Sequence, residues 1–500
     1  MERMRMSDGR VVVGLVAVLI AGVPLAACGE GEGAGAGDAG DTDDGGADTE
    51  TGSDDDSDTT GACAQLDERF AALVDQFQAS LAAQGVTGGA LALVCGGQVR
   101  TAGLGQVKAD GADVTPSTLF QMASLTKMLT AAAAVSLADD GAIDLDAPIS
   151  EIAPQLAYGE ITLDQILSHS AGLPTIFPNE ESYTTLQGWL LDEQNAAAAL
   201  WAPPGAVWYY NNDGYGVAGG LLEMASSTAF SELVHDRVFD RYGMTTAAML
   251  PNEVVSNGDF AYGHSGSAAS ATPIEPNGSY YGDPVYGPMG GAWASADDMA
   301  AFMLALLGHH ADSSLLAPLS EDQIRNGVMP GQYYGYGLMI DEGLSPKVVS
   351  HSGSVEGFLA DMELVPDADV GVIAMVNSDW YFPEDVTWAG LESFVAIDDV
   401  RPASPDPSTR WPLLVGTYDS LVFGQVDVSV VDAGLAAEFV DEGTTSALTP
   451  DPYYGYDNYT FSWNDPYDGP IADAPLTFWV AGDAPADYMV SVFGVGTRQE

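Results

Sequence analysis

A serine and a lysine three residues apart, in Ser124-Leu125-Thr126-Lys127, have the types and spacing that nucleophilic catalysis requires. They precede an Ala-rich, nearly all-apolar run over 128–138, which predicts a buried helix. Residues i and i+3 of a helix share a face, so the hydroxyl and the amine would lie one turn apart. A serine needs a base, and a lysine can be that base only if burial and the positive helix N-terminus lower its pKa. The Ser124 backbone N–H could also donate to an oxyanion.

Two later segments carry residues that could complete this chemistry. Tyr210 and Asn212 lie in a Pro- and Gly-rich stretch, where a phenol can relay a proton and a loop amide can orient the lysine and a substrate. His351-Ser352-Gly353-Ser354 ends a predicted strand. Gly353 would let a substrate approach an edge strand, and the Ser354 N–H could be the second oxyanion donor. Either segment alone is more often ordinary turn structure.

Taken together, these segments resemble the serine β-lactamase and penicillin-binding-protein superfamily, in particular its class C β-lactamase-like branch. In that family the motifs SxxK, YxN and K/H-x-G occur in this order with wide gaps. The resemblance covers roughly residues 64–395. It extends to the segments 120–123, 166–174, 241–244, 289–291 and 295–298.

The resemblance implies a role for each candidate residue. Ser124 would be the acylated nucleophile, Lys127 the base for acylation, and Tyr210 a member of the proton relay that activates the deacylating water. Asn212 would position Lys127 and the substrate, and the backbone N–H groups of Ser124 and Ser354 would form the oxyanion hole. The family implies no metal and no cofactor.

Two histidines bear on the type of substrate and on the choice of base. His351 stands where true class C β-lactamases carry a lysine that attracts the substrate carboxylate. The histidine variant is usual in esterases, peptidases and amidases of the family, so efficient antibiotic hydrolysis is the less expected activity. His169, in Ser168-His169-Ser170, could suggest a Ser–His triad. We interpret it as structural, because a lysine already supplies the base and no G-x-S-x-G elbow surrounds any serine.

Apolar periodicity predicts the elements that must position these residues. Helices are expected over 64–84, from Ser117 through the buried run, over 230–242 and after an N-terminal cap at Ser295. The expected strands lie within 88–105 and at 347–350, 357–365 and 370–376. Strands at both ends of a helical centre predict an α+β fold, which the resemblance makes a β-lactamase/transpeptidase-like α/β/α sandwich with an antiparallel sheet and a helical subdomain.

The C-terminal part of the chain has a different pattern. Residues 401–412 are rich in Pro and Ser and are predicted to be a linker. Residues 413–500 contain strand and turn signals only, which predicts a small β-barrel-like domain. Its opening, 413–418, resembles the lipocalin-like β domain that follows many such hydrolases. Its aromatic residues could bind glycan, although ordinary core and turn positions are favoured for them: Tyr453, Tyr454, Tyr456, Tyr459, Phe461 and Trp463.

The N-terminus has the pattern of an export and anchoring signal. A start containing three arginines precedes an apolar stretch over 11–25, which is short for a membrane span. Small residues before Cys28 resemble a bacterial lipobox, so 1–28 is predicted to be a lipoprotein signal with Cys28 lipidated, in the periplasm or at the cell surface. An ordinary signal peptide or an uncleaved anchor helix are the alternatives. Residues 29–62 hold twelve carboxylates and no Lys or Arg, which predicts a disordered acidic tether.

Composition excludes several classes of function. Lys+Arg number 14 against 72 Asp+Glu, a formal net charge of −58. Such a chain lacks the basic footprint for nucleic acid and should not dock electrostatically on anionic lipid. The acidity is typical of adaptation to high salt. Three cysteines are too few for a disulfide-dense scaffold or a Cys-rich zinc protein, and Cys63 and Cys95 are expected to form one disulfide, with two free thiols as the alternative.

These observations predict an acyl-enzyme serine hydrolase domain over 63–400 that acts on esters, small amides or D-amino-acid peptides. A true β-lactamase or DD-carboxypeptidase is the alternative within enzymes. From another class, the alternative is a catalytically idle, surface-tethered binding protein. The presence of Ser124, Lys127 and Tyr210 together disfavours the idle protein, which could lose any of them freely.

Overall fold

The computed structural model describes most of the chain from Cys63 onwards. The described residues are 63–175, 183–267, 272–276, 284–310, 319, 324–325, 332–401, 406–420, 423–432, 434–441, 443–450, 458–465, 469–479, 486–491 and 494–499. The predicted signal, Cys28, the acidic tether and the tyrosines at 453, 454 and 456 lie outside them. No helix in these ranges is long and apolar enough to cross a membrane.

Helices fill the centre of the chain. In the described ranges the α-helices are α1 Leu66–Gln84, α2 Thr126–Asp139, α3 Leu163–Leu167, α4 Leu186–Leu190, α5 Glu193–Ala196, α6 Asn212–Ser226, α7 Phe230–Val234, α8 Asp240–Tyr242, α9 Pro251–Asn257, α10 Gly287–Gly290, α11 Ala296–Leu306, α12 Glu384–Glu392 and α13 Trp411–Leu414. A π-helical turn, His235–Phe239, joins α7 to α8, so the helix predicted over 230–242 is interrupted rather than regular. As predicted, the Ser295 hydroxyl caps α11 by accepting a hydrogen bond from the Asp298 N–H.

Among the described residues, the part before the barrel contains one eight-stranded sheet and three small two-stranded ribbons. The strands in chain order are β1 Gly88–Cys95, β2 Gln98–Gly105, β3 Phe120–Gln121, β4 Gly263–Ser265, β5 Thr272–Ile274, β6 Trp293–Ala294, β7 Ile324–Arg325, β8 Gln332–Tyr334, β9 Met339–Asp341, β10 Leu344–Ser345, β11 Val348–Val355, β12 Phe358–Val365, β13 Val370–Val376 and β14 Asp398–Asp399. The large sheet has the order β2-β1-β13-β12-β11-β9-β8-β7, and all its pairs are antiparallel.

The large sheet is buried on both faces. Alternate residues of β1 point to opposite sides. Leu91 and Leu93 pack in one apolar cluster with α1 and α12, whereas Ala90 and Ala92 pack in another with α2 and α11. The three layers confirm the predicted α+β sandwich with an antiparallel sheet.

A closed antiparallel barrel follows. Its strands are β15 Gly416–Ser420, β16 Gly424–Val431, β17 Gly434–Phe439, β18 Thr444–Pro450, β19 Asn458–Asp465, β20 Gly469–Trp479, β21 Tyr488–Ser491 and β22 Gly494–Arg498. Pairing of β15 with β22 closes it. Tyr459 is buried in its core, as the ordinary interpretation of the aromatic residues predicts. The predicted linker, residues 401–412, overlaps the beginning of α13. Leu414, the last residue of this helix, packs into the same core.

Two predicted boundaries were wrong. The helix expected from Ser117 begins only at Thr126, because Phe120 and Gln121 pair with Ala294 and Trp293 and a 3₁₀ turn over Ala123–Leu125 follows. The strand expected to end at 350 continues to Val355, because its far half pairs with β12.

Cys63 and Cys95 form a disulfide that closes a loop with a sequence separation of 32 residues. Cys63 immediately precedes α1, and Cys95 is the last residue of β1. The bond therefore ties the beginning of the described chain to the second strand from one edge of the large sheet. This is the pairing that the sequence favours over two free thiols.

A pair of buried carboxyls on β12 predicts a dependence of stability on pH. Asp361 accepts a hydrogen bond from the Thr387 hydroxyl, and the Glu363 Oε2 atom has no hydrogen-bond partner among the described residues. Burial raises the pKa of Asp361 to about 7 and that of Glu363 well above its usual range. In the unfolded chain both ionise near pH 4. The folded state therefore binds the extra protons, and the free energy of unfolding should fall as pH rises from about 4 through 7.

Asp361→Asn combined with Glu363→Gln should flatten this dependence, since neither amide ionises. Between pH 5 and pH 8, the fall in the free energy of unfolding should be smaller in the variant than in the wild type, by at least about 1 kcal/mol. Urea unfolding at both pH values, in high salt to screen the other carboxylates, measures the difference. Parallel losses in the two proteins would contradict the assignment.

Candidate active site

The nucleophile candidate lies on a strained turn. Ala123 has a left-handed φ of 47°, which is unfavourable for a residue with a side chain. The 3₁₀ turn Ala123–Leu125 then leads into α2. Between Thr118 and Leu137, Ser124 is the one residue that is not buried. The turn thus presents a single hydroxyl at the end of an otherwise buried helix.

Lys127 is fully buried one helical turn away. Its Nζ lies 3.1 Å from Ser124 Oγ and donates to the Met289 carbonyl oxygen at 2.9 Å. No carboxylate of the described residues forms an ion pair with it. Burial holds the pKa of Lys127 well below its usual value. The side chain is therefore disposed to be a neutral amine, whose lone pair can accept the serine proton.

Tyr210 precedes α6, and Asn211 caps that helix by accepting a hydrogen bond from the Gly214 N–H at 3.1 Å. The Tyr210 ring centre lies 4.9 Å from Lys127 Nζ. Burial raises the pKa of Tyr210, and a hydrogen bond with the Ser124 hydroxyl opposes that rise. The phenol is thus protonated at neutral pH and contacts both predicted partners, which is the arrangement a proton relay needs.

Asn212 is placed differently from the expectation. It is the first residue of α6 and is half-buried, but the hydrogen bonds of Lys127 go to Ser124 and Met289. The Met289 carbonyl therefore orients the lysine amine, not the Asn212 side chain. Asn212 stays a predicted substrate contact.

The other wall of the site is the far half of β11. Strand β9 pairs only with residues 348–350 of β11, so among the described residues β11 has a free edge from His351 onwards. A two-residue turn joins Val355 to Phe358, which form a hydrogen-bonded pair. Hydrogen-bonded and non-hydrogen-bonded pairs alternate along an antiparallel ladder, so the next pair, Ser354 and Leu359, is non-hydrogen-bonded. This alternation directs the Ser354 N–H away from β12 and towards the free edge. Ser354 can therefore supply the second oxyanion donor.

Gly353 allows a close contact within the protein. A Cβ atom added at Gly353 would lie 2.4 Å from the Met122 carbonyl oxygen. Strand β11 therefore packs directly against the backbone that leads into the nucleophile turn. The packing on Met122 by itself requires a glycine at this position, and the role of Gly353 in substrate approach stays a prediction.

His351 is neutral and fully engaged. Its Nδ1 lies 2.6 Å from the Ser352 carbonyl oxygen, which requires Nδ1 to carry the proton. Its Nε2 then accepts from the Tyr334 hydroxyl at 2.9 Å. Burial, reinforced by the nearby Lys127 charge, lowers the pKa of His351 to about 3. His351 thus offers no positive charge to a substrate carboxylate at neutral pH.

Comparison with known proteins places this site in a family. A model described as Beta-lactamase matches residues 70–394. The chain belongs to the beta-lactamase family. This confirms the predicted family and its class of serine hydrolases.

Individual members are distant relatives. The chain is 27% identical over 313 residues to a D-aminopeptidase of Gluconobacter oxydans (strain 621H), which covers 61% of this chain and 57% of that protein. A crystal structure of SurE matches with a TM-score of 0.65 and 21% identity, over 87% of this chain and all of that one. A class C beta lactamase from Rhodobacter sphaeroides matches with a TM-score of 0.55 and 19% identity, over 65% of this chain and 99% of that one. At these identities the two structures show the shared fold.

Three contributors to this beta-lactamase-family site were not assigned these roles from the sequence. Tyr334 holds His351, the Met289 carbonyl holds Lys127, and Ala123 takes the strained φ. The segments that contain Met289 and Ala123 carried a signal, through their resemblance to the family, whereas Tyr334 carried none. In the described part of the chain, no group of three His, Cys, Asp or Glu residues could hold a metal ion.

Gly353→Ala should impair catalysis without unfolding the protein. The new methyl group must push β11 away from Met122, which shifts Ser354 relative to Ser124. A displacement of about 1 Å at a reacting centre can cost about a hundredfold in rate. Steady-state hydrolysis of p-nitrophenyl butyrate measures the loss. Gly434→Ala is the matched control, because a Cβ there meets no atom within 4 Å. Unchanged activity in Gly353→Ala would contradict the close packing.

The barrel packs against the segment that leads to Tyr210. Val490 and Val495 form an apolar cluster with Val207 and Tyr209, and all four are buried. The barrel therefore supports the chain immediately before the predicted relay tyrosine.

Val495→Asp should reduce ester hydrolysis by about tenfold or more, because a buried unpaired carboxylate opens this contact and lets Tyr210 move. Val430→Asp is the control, since Val430 is 50% exposed on the same barrel. Circular dichroism checks that both variants fold. Equal activity of the two variants would show that the barrel contact does not matter for the site.

Proposed function

We propose that this chain hydrolyses esters and small amides, including D-amino-acid peptides, through an acyl-enzyme on Ser124. The 3.1 Å contact between Ser124 Oγ and the amine of buried Lys127 carries the proposal. The neutral amine accepts the hydroxyl proton as Oγ attacks the substrate carbonyl carbon. The N–H groups of Ser124 and Ser354 then stabilise the oxyanion.

Tyr210 provides the path for the proton in both halves of the reaction. In acylation the proton taken from Ser124 passes from Lys127 through the phenol to the leaving oxygen or nitrogen, and the carbonyl carbon–leaving group bond breaks. In deacylation a water gives its proton to the same relay and attacks the acyl carbon, and Ser124 recovers its hydroxyl hydrogen. The contact of Tyr210 with Ser124 and its proximity to Lys127 support this route.

The charge of the site supports uncharged or amine-bearing substrates over carboxylates. Apart from histidines, Lys127 is the only basic side chain that contacts Ser124, Tyr210 or His351 among the described residues. A neutral His351 replaces the cation that would bind a carboxylate, and the net charge of −58 repels anions. The relative named D-aminopeptidase supports peptides with an N-terminal D-residue as one substrate class.

A substrate panel tests the proposal. The purified protein should hydrolyse p-nitrophenyl butyrate and D-alanine p-nitroanilide, and intact-mass analysis should show an acyl group on Ser124. For nitrocefin and for a peptide ending in D-Ala-D-Ala, we expect kcat/KM at least about tenfold lower, because each carries a carboxylate that the site does not pair. Efficient turnover of the latter two would favour the β-lactamase or DD-carboxypeptidase alternative. No turnover by folded protein would favour the idle binding protein.

We also propose that the hydrolase is exported and anchored by a lipid on Cys28. The basic start, the short apolar stretch and the small residues before Cys28 support this location. Cells expressing the full chain and fed a labelled fatty acid should label the wild type and not Cys28→Ala. Equal labelling of both would contradict the anchor.

A further inference from the structure

His169 adopts a conformation that needs an explanation. It follows α3 and its C-cap Ser168, is 3% exposed, and has a left-handed φ of 60°. The left-handed region is unfavourable for a residue with a side chain, because its Cβ atom crowds the following carbonyl oxygen. Strain of this kind persists where the surrounding contacts require it, and it marks functional positions more often than others. The contacts of His169 show which neighbouring segment this residue holds in place.

His169 holds the chain on both sides of Tyr210. Its backbone carbonyl accepts from the Tyr209 N–H at 2.9 Å. Its ring Nδ1 accepts from the Asn211 N–H at 3.1 Å. The two residues that flank the relay tyrosine are thus both anchored on a single residue from another element.

The ring of His169 also lies between the two walls of the site. Its centroid is 4.5 Å from the Tyr210 ring and 4.6 Å from the Tyr334 ring. Tyr334 is the residue that holds His351 on β11. One imidazole therefore contacts the relay tyrosine and the support of the opposite wall.

The hydrogen bonds define the tautomer of this imidazole. Nδ1 accepts a backbone N–H, so it carries no proton, and the proton must be on Nε2. The Nε2 atom is buried and has no hydrogen-bond partner within the described chain. Within the described chain, the ring of His169 thus makes its hydrogen bond through Nδ1, beside the one made by its backbone carbonyl.

We propose that His169 is a positioning residue that sets the Tyr210 phenol for proton transfer with Ser124 and Lys127. This inference rests on the proposed function. His169 does not touch the reacting atoms as a base. It orders the relay through the Asn211 N–H, so its catalytic effect depends on the acceptor at Nδ1 and not on the ring as such.

Two substitutions separate these properties. His169→Asn keeps an acceptor near the position of Nδ1 and tolerates a left-handed φ, but loses the ring. His169→Phe keeps the ring and loses the acceptor. For p-nitrophenyl butyrate we expect His169→Asn to retain kcat within about tenfold and His169→Phe to lose about a hundredfold, with KM changed less than kcat in both. If His169 only fills the core, His169→Phe should be the more active of the two, and that result would overturn the proposal.

A double-mutant comparison tests whether His169 acts through Tyr210. His169→Phe in a Tyr210→Phe background should cause little further loss of kcat, because the relay it orders is already gone. Full additivity would overturn the proposal. If Ser124→Ala remains as active as the wild type, the proposed function fails instead, which is a separate result.

Nitrogen NMR of the wild type gives a readout that does not depend on the folding of any variant. The histidine ring resonances should assign His169 as the Nε2–H tautomer, with a hydrogen bond to the Asn211 N–H. A Nδ1–H tautomer would overturn the proposal, because Nδ1 could then not anchor Asn211.

Discussion

Ser124→Ala should abolish ester hydrolysis, with a loss of at least about a thousandfold in kcat. The variant keeps the strained turn, the lysine and the oxyanion donors, but it has no oxygen that can form the acyl bond. The substitution should leave the fold intact, since Ser124 is the least buried residue of its segment. Steady-state assays with p-nitrophenyl butyrate and intact-mass analysis of the acyl adduct measure both consequences.

Ser136→Ala is the matched control for the nucleophile. Ser136 lies on the same helix, is buried and accepts a hydrogen bond from Arg241 at 3.1 Å, far along α2 from the turn. It should keep wild-type kcat even if it loses some stability. A Ser124→Ala protein as active as the wild type would remove the basis of the proposed function, whereas a loss shared equally by both variants would indicate damage to α2.

Lys127→Met should produce the second large effect, with activity and stability moving in opposite directions. The methionine fills the space of the lysine stem but has no lone pair with the basicity to accept the Ser124 proton. We expect kcat to fall at least about a thousandfold. A buried amine without an ion-pair partner is costly to desolvate, so the free energy of unfolding should stay equal or rise. Urea unfolding and ester assays on the same preparations test both expected results, the fall in kcat and the equal or greater free energy of unfolding.

The pH profile gives an independent test of the lysine. Burial lowers the pKa of Lys127, and only the deprotonated amine can act as a base. The kcat/KM of the wild type should therefore rise with pH through this lowered pKa. Lys347→Met, at the half-buried residue immediately before β11, should retain the wild-type profile. A Lys127→Met protein that keeps activity with an unchanged acid limb would exclude Lys127 as the base.

The sequence by itself determined those features that depend on local spacing. The i, i+3 separation predicts that Ser124 and Lys127 lie one turn apart, and this holds although the 3₁₀ turn that carries Ser124 precedes α2. The Ala-rich run requires burial, which lowers the pKa of the lysine and so favours the neutral amine that can accept a proton. Strand and turn signals likewise sufficed for the barrel, and the Ser295 cap is a local hydrogen bond. Residue types also pointed to the segments of Tyr210 and of His351 to Ser354, and the resemblance then joined them to one site with assigned roles.

Only the tertiary structure decided how these groups are held. Tyr334 reaches His351 across the sheet, the Met289 carbonyl replaces Asn212 as the partner of Lys127, and Gly353 packs on Met122. Each of these contacts joins residues that are distant in sequence, or depends on a backbone φ that no residue type dictates. Local periodicity contains no information on such pairs, because the partners meet only when the sheet, the helices and the barrel pack together.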